Sequence, residues 1–291
     1  MQPILASLRQ QYHRKIGEKI VRFSSDGQDA FPNFADRCSK SSVLISVRLC
    51  EKLSFPRTVG HLDGQKAGRQ FEKVTCWFVR KAFTALAHLR PGRWDYLGDQ
   101  TEISRFVQYR HLFQLEGLLK GSQELASALG LDYLVRPDIV VIRSPVSDAE
   151  INQGRLVVKP EDSRTARLTP FRESNQKVSP PAWFLHASIS CKWTIRSDRS
   201  QNTRTEALNL IRNRKGPLPH IVAVTAEPLP TRIASLALGT GEMDGVYHFA
   251  LPELEETCRE LDLQDQLEML QTMIQGDRLR DISDLPLDLT I

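Results

Sequence analysis

Apolar residues at steps of three and four mark the clearest helix in the chain. Phe71, Val74, Phe78, Ala82, Ala85 and Leu89 fall on one face, predicting a helix from about Ala67 to Leu89 that Pro91-Gly92 ends. A looser mixture of apolar and basic residues from Ile4 to Phe23 has helical spacing, and the polar stretch SSDGQDAFPNFADRCSKSS after it reads as loop. A further helical region covers about Glu102 to Leu129. The period then changes. YLVRPDIVVIR, Tyr133 to Arg143, is β-branched and apolar and reads as a buried strand interrupted at Pro137. FLHASISCKW, Phe184 to Trp193, alternates: Leu185, Ala187, Ile189 and Cys191 share one face, and His186, Ser188, Ser190 and Lys192 the other. A helix from Gln201 to Arg214, a strand from His220 to Ala226, a short helix around Thr231 to Leu238 and a strand from Val246 to Phe249 follow. The last large element is an acidic amphipathic helix from about Pro252 to Ile274.

This strand–helix–strand order predicts an α/β fold with a mixed central sheet and helices on both faces. We read the 291 residues as one domain, with a variable insertion at about 145–182. An unstructured loop of that length is uncommon inside a domain, so local structure is expected there, such as a hairpin around Leu156 to Val158. No stretch approaches the roughly 18 apolar residues of a membrane span. The N-terminus has no apolar core of a signal peptide, so the expected compartment is the cytoplasm. Five cysteines, an odd count without any CxxC pair, read as free thiols and argue against a zinc site.

Charge changes this picture. The net charge is +4, but Leu251 to Ile291 carries 11 acids and 3 bases, leaving +12 for the remainder. Lys192 to Lys215 alone has seven bases against two acids, a density that suits a polyanion surface as well as a solvated basic helix.

Several candidate motifs can be set aside. Gly239-Thr240-Gly241 begins like a dinucleotide fingerprint, but position 244 is Asp and a strand follows, so a turn is the better reading. His186 and Ser188 lack the strained elbow of an activated serine. Glu227-Pro228 reads as a turn closing a strand. The informative set is Pro137-Asp138, Ser190-Cys191-Lys192 and Glu206. A carboxylate beside a proline that breaks one strand, a lysine ending its neighbour and an acid on the next helix can together hold a divalent metal and a phosphodiester. The plain alternative is a buried Asp–Lys ion pair. Beyond Lys192, Arg196, Asp198 and Arg199 have the chemistry to read G·C pairs, arginine donating to guanine O6 and N7 and aspartate accepting from cytosine N4; a charged turn capped by Asp198 is the alternative.

The runs RPDIVVIR, HASISCKWTIRSDRSQNTRTEALNLIRNRKGPLPHIVAVTAEP, LALGTGEMDGVYHFAL and RLRDISDLPLDL resemble the type II restriction endonucleases that cleave around a CCGG core. The resemblance extends along essentially the whole chain and is weakest in the first 60 residues and from Val157 to Pro181. It implies the PD-(D/E)xK restriction-endonuclease-like core, with Ser190 where the second acid usually stands and Glu206 supplying that acid from the following helix. It implies Asp138, the Cys191 carbonyl, Glu72 and Glu206 as ligands of Mg²⁺, two ions per active site, and Lys192 as the catalytic lysine. Arg196, Asp198 and Arg199 match the CCGG reader. Gln65 matches a residue approaching the central pairs from the minor groove, and Arg232 and Asp36 match readers of the outer pair, giving GCCGGC cut to leave 5′ CCGG overhangs. Double-stranded DNA, a homotetramer of two back-to-back dimers and a companion cytosine-specific DNA methyltransferase are the implied partners. Two other readings stay open: a DNA-binding protein that has lost cleavage, and a repair or mobile-element nuclease on the same core. The presence of Glu72, Asp138, Lys192 and Glu206 disfavours the first, and the base-reader run disfavours the second.

Overall fold

The computed structural model describes residues 2–25, 27, 29–98, 101–121, 124, 127, 135–162, 169–175, 183–195, 197–239 and 241–291. Its centre is a six-stranded sheet whose spatial order follows the chain: β1 (Trp94–Gly98), β2 (Ile139–Arg143), β3 (Phe184–Lys192), β4 (His220–Thr225), β5 (Gly245–His248) and β6 (Leu279–Asp281). β1, β2 and β3 pair antiparallel, whereas β3 to β6 pair parallel. The sheet is therefore mixed, as the pattern predicted. Ile139 to Ile142 are all buried, because helices cover the sheet on both faces and leave no solvent side.

The helices are α1 (Ile4–Lys19), α2 (Lys40–Lys52), α3 (Gly64–Ala85), α4 (Leu112–Gly121), α5 (Asp148–Ile151), α6 (Ser197–Asn213), α7 (Pro230–Ala237), α8 (Leu251–Glu260), α9 (Gln264–Gln275) and α10 (Leu285–Asp288). The helical spacing read in α3 delivers Phe71, Val74, Phe78 and Ala82 to the core. Asp63 starts this helix by accepting from Gln65 N at 2.9 Å and Lys66 N at 3.4 Å. Arg9 of α1 spans two carboxylates, meeting Glu253 at 2.6 and 2.7 Å and Asp281 at 2.8 Å, which ties the N-terminal helix to α8 and β6. Among the described residues, no helix is long and apolar enough to cross a membrane. All five cysteines are free.

Departures from the sequence reading have local causes. The acidic stretch is two helices, α8 and α9, because Asp262 between them adopts a left-handed φ of 52°. The helical region after Glu102 begins as two short 3₁₀ turns, Ile103–Arg105 and Val107–Tyr109, before α4. The strand expected from Tyr133 starts at Ile139, since Pro137 has no N–H for the ladder; Tyr133 and Leu134 lie outside the described residues. Among the described residues, Leu156 to Val158 form no hairpin. There the Asn152 side chain accepts from Val157 N at 2.8 Å and Val158 N at 2.9 Å, replacing a strand partner. In the same insertion Arg172 is buried against Asp148 of α5 and donates to the Lys159 carbonyl at 3.0 Å. In β3 the alternation slips at His186: Val141 pairs with Ala187 and Ile142 with Leu185. The extra residue turns its ring against Phe83 of α3, at 5.9 Å, and Trp94, at 4.8 Å, so His186 does not share the face of Ser188 and Ser190.

Burial holds His186 and His248 down to about 4. His248 donates from Nε2 to the Glu227 carbonyl at 3.2 Å and accepts at Nδ1 from Ala250 N at 3.2 Å, an arrangement only the neutral ring can make. An unfolded histidine takes its proton near pH 6.5, so the stability from keeping these rings neutral is present above pH 6.5 and is lost as pH falls toward 4. The melting temperature of the parent chain should therefore fall more steeply between pH 6.5 and 4 than that of His248→Gln. Parallel curves would show that His248 titrates normally in the fold.

Candidate active site

The β2–β3 register builds the centre of the site. Ile139 pairs with Ile189, so one step further Asp138 comes opposite Ser190, at the end of β3. Asp138 Oδ2 accepts from the Cys191 amide at 2.7 Å and from Lys192 Nζ at 3.2 Å. Both side chains of this ion pair are about one-fifth exposed, with Asp138 at 20% and Lys192 at 19%, so the pair opens to solvent. The Lys192 carbonyl is fixed from the next strand, accepting from Thr225 Oγ1 at 2.8 Å and Ala226 N at 3.2 Å. Trp193 then anchors the chain between Phe34, at 5.4 Å, and Phe71, at 5.3 Å.

Helix α6 brings Glu206 onto the Ser190 face. Glu206 lines a small cavity together with Pro137, Ser188 and Ser190, so the acid in the helix and the hydroxyl in β3 face one space. Burial raises the Glu206 carboxyl above its ordinary range; the Lys192 charge opposes that shift and the Asp138 charge adds to it. Glu72, on α3, approaches from the other face, where its charge helps to raise the Cys191 thiol. Cys191 itself is 5% exposed, and burial is the main cause holding its thiol well above the usual range.

These donors suit a hard divalent cation. Asp138 and Glu206 offer carboxylate oxygens, and the Cys191 carbonyl lies on the same strand edge as its N–H, hence toward Asp138. Among the described residues, no three His, Cys, Asp or Glu side chains converge closely enough to enclose an ion, and Asp138 spends its Oδ2 on Lys192 and the Cys191 amide.

A second region adjoins this centre. A cleft of about 990 Å³ is lined by Asp36, Gly64, Thr194, Ile195 and Arg232, among others. Arg232 of α7 is ion-paired with Asp36, so the structure joins the two residues singled out for the outer base pair. Gln65 is exposed in the first turn of α3, next to cleft-lining Gly64. Asp198 and Arg199 occupy the first turn of α6, immediately beyond Ile195 and the cleft; their side chains, and all of Arg196, lie outside the described residues. The sequence reading missed Glu227. Taken as a turn residue, it is 1% exposed, and its carboxylate accepts from Ile195 N at 2.8 Å and Leu229 N at 3.2 Å. Burial pushes its carboxyl up to about 7. The neighbouring Pro228 hid this, since Glu-Pro at a strand end carries an ordinary turn signal.

A mixed sheet that delivers an aspartate, a lysine and a helix-borne glutamate to one strand end, beside a cleft, is the arrangement of a restriction endonuclease. The comparisons narrow this. The family described as NgoMIV restriction enzyme matches residues 12–291, and the chain belongs to that family. It is 45% identical to the type II restriction enzyme NgoMIV of Neisseria gonorrhoeae, over the full length of both chains. The solved structure of the type IIF restriction endonuclease Bse634I with cognate DNA aligns over 87% of this chain and 91% of that one, with 13% identity and a TM-score of 0.34. The chain is a type II restriction endonuclease, a site-specific deoxyribonuclease acting on double-stranded DNA.

The buried, protonated Cys191 thiol has no part as a nucleophile in this geometry. Cys191→Ala is expected to retain cleavage to within a few-fold, and N-ethylmaleimide to leave Cys191 unmodified in the folded chain, as peptide mass mapping would read. Loss of cleavage on alkylation of Cys191 alone would contradict this.

Proposed function

We propose that this enzyme hydrolyses both strands of DNA at the palindrome GCCGGC in a Mg²⁺-dependent reaction, leaving 5′ CCGG overhangs. The observation that carries the reading is the contact of one Asp138 oxygen with both the Cys191 amide and the Lys192 ammonium, beside the Ser190–Glu206 cavity. In this reading Asp138, Glu206, Glu72 and the Cys191 carbonyl would hold two Mg²⁺ ions, which when bound would supply Lewis-acid charge stabilisation for phosphodiester hydrolysis. Lys192 orients that water and the phosphate through its ammonium, and its exchange of Asp138 for the phosphate accompanies substrate entry. Ser190 leaves room for the Glu206 carboxylate that replaces the usual strand acid.

Base reading falls to the groups around the cleft. Arg196, Asp198 and Arg199 follow the catalytic strand directly and read the CCGG core. Gln65 approaches the central pairs, and the Asp36–Arg232 pair reads the outer one, arginine donating to guanine and aspartate accepting from cytosine. The +12 carried outside the acidic C-terminal segment supports a DNA-facing surface. The enzyme works in the cytoplasm as a homotetramer engaging two DNA sites, and a cytosine-specific DNA methyltransferase protects the host's own sites.

Digestion of one plasmid of known sequence in Mg²⁺, with the fragment ends sequenced, tests this reading. Cuts confined to GCCGGC with four-base 5′ CCGG ends are expected. Cuts at another sequence, or blunt ends, would overturn the assigned specificity. Asp138→Ala and Lys192→Ala should each lower the cleavage rate by roughly 10²–10⁴-fold while keeping sequence-specific binding in Ca²⁺. Near-normal cutting by either would remove that residue from the active site.

A further inference from the structure

Glu227 touches neither face of the metal-ligand set, yet it is among the most deeply buried acids described, with 1% exposure. Burying a carboxylate has a substantial desolvation cost, so an apolar side chain would serve simple packing better. Its contacts explain its place. One oxygen accepts from Ile195 N at 2.8 Å, and Ile195 directly precedes the base-reading run 196–199. The other accepts from Leu229 N at 3.2 Å, and Leu229 is the cap residue of α7, the helix that carries Arg232. The Glu227 amide donates to Thr225 Oγ1 at 3.1 Å, and that hydroxyl donates to the Lys192 carbonyl at 2.8 Å. Arg232 Nη1 lies 3.9 Å from the same carboxylate. One side chain thus joins the roots of both reading arms, and its own backbone links them through Thr225 to the catalytic strand.

We infer that Glu227 is a positioning residue that sets the register of the 196–199 reader and of Arg232 relative to Lys192, and so is a determinant of sequence discrimination. The inference rests on the base-reading roles proposed above. It adds that inner and outer readers are not independent: they share one buried anchor, so a change at Glu227 relaxes both together. Glu227→Gln has nearly the same shape, but its amide accepts only through one oxygen, and its NH₂ faces the second backbone donor.

The test is competition binding in Ca²⁺ at fixed salt. The duplexes are a GCCGGC duplex, one substituted in the outer pair and one substituted in the CCGG core. Glu227→Gln is expected to lose roughly tenfold in discrimination at both positions, with non-specific affinity and its salt dependence unchanged. In Mg²⁺, KM on the GCCGGC duplex should rise roughly in step with the weaker cognate binding, and kcat should fall as well. Arg199→Ala is the control for the reading itself. If Arg199→Ala loses core discrimination but Glu227→Gln discriminates like the parent and only melts at a lower temperature, Glu227 is structural and the inference fails. If Arg199→Ala weakens all duplexes equally, the base-reading assignment fails and the inference with it. A Glu227→Gln chain that shows no folded near-ultraviolet circular dichroism also overturns it, since the residue then serves folding.

Discussion

The site depends on one carboxylate oxygen. Asp138 Oδ2 accepts from the backbone of Cys191 and from the side chain of Lys192, across the antiparallel pairing of β2 and β3. That contact requires the two strands to be in a single register, because a one-residue slip would turn Asp138 to the opposite face of the sheet. Pro137 cannot extend β2 backward, and the bulge at His186 absorbs the extra residue further along, so the register holds where the chemistry needs it. Thr225 clamps the Lys192 carbonyl from the parallel side. β3 is therefore fixed by an antiparallel neighbour that brings an acid and a parallel neighbour that brings a clamp.

Much of this was legible in the sequence, for physical reasons. A β-branched apolar run gave β2, alternation gave β3, the apolar run HIVAVTA gave β4, and the three-four spacing gave α3. Short elements carried too little signal. β1 and β6, of five and three residues, are held as strands by pairing with β2 and β5. α2 was hidden by serines and by the polar stretch before it, although Ser39 starts it by accepting from Ser42 N at 3.2 Å. Asp138, Ser190, Lys192 and Glu206 were found because residue type and spacing expose them, and the structure brings them to one strand end. Glu227 was not found, since its role lies in which backbone amides it reaches, and a linear pattern of residue types does not encode that.

The electrostatics divide the work within the site. The Asp138–Lys192 pair is partly open to solvent, which weakens its attraction by screening and leaves both groups accessible. Glu206 is held against the sheet, where burial raises its carboxyl and the charge of Lys192 counters that shift. A divalent cation beside it would favour the charged form and relieve the cost of burial. Around this centre the polar cleft keeps Asp36 and Arg232 ion-paired, so their opposite charges are matched within the fold.

In the proposed site, helix α6 supplies, through Glu206, the carboxylate that β3 lacks at Ser190. Exchanging the two positions tests it most directly, with the cleavage rate of a single-site duplex measured in Mg²⁺ for the parent, for Glu206→Ser, and for Glu206→Ser combined with Ser190→Glu. Glu206→Ser should nearly abolish cleavage, and adding Ser190→Glu should restore a measurable part of it, because an acid again faces the same cavity from the strand. A Glu206→Ser enzyme that cuts as fast as the parent would contradict the account and leave Glu206 as a structural residue of the helix.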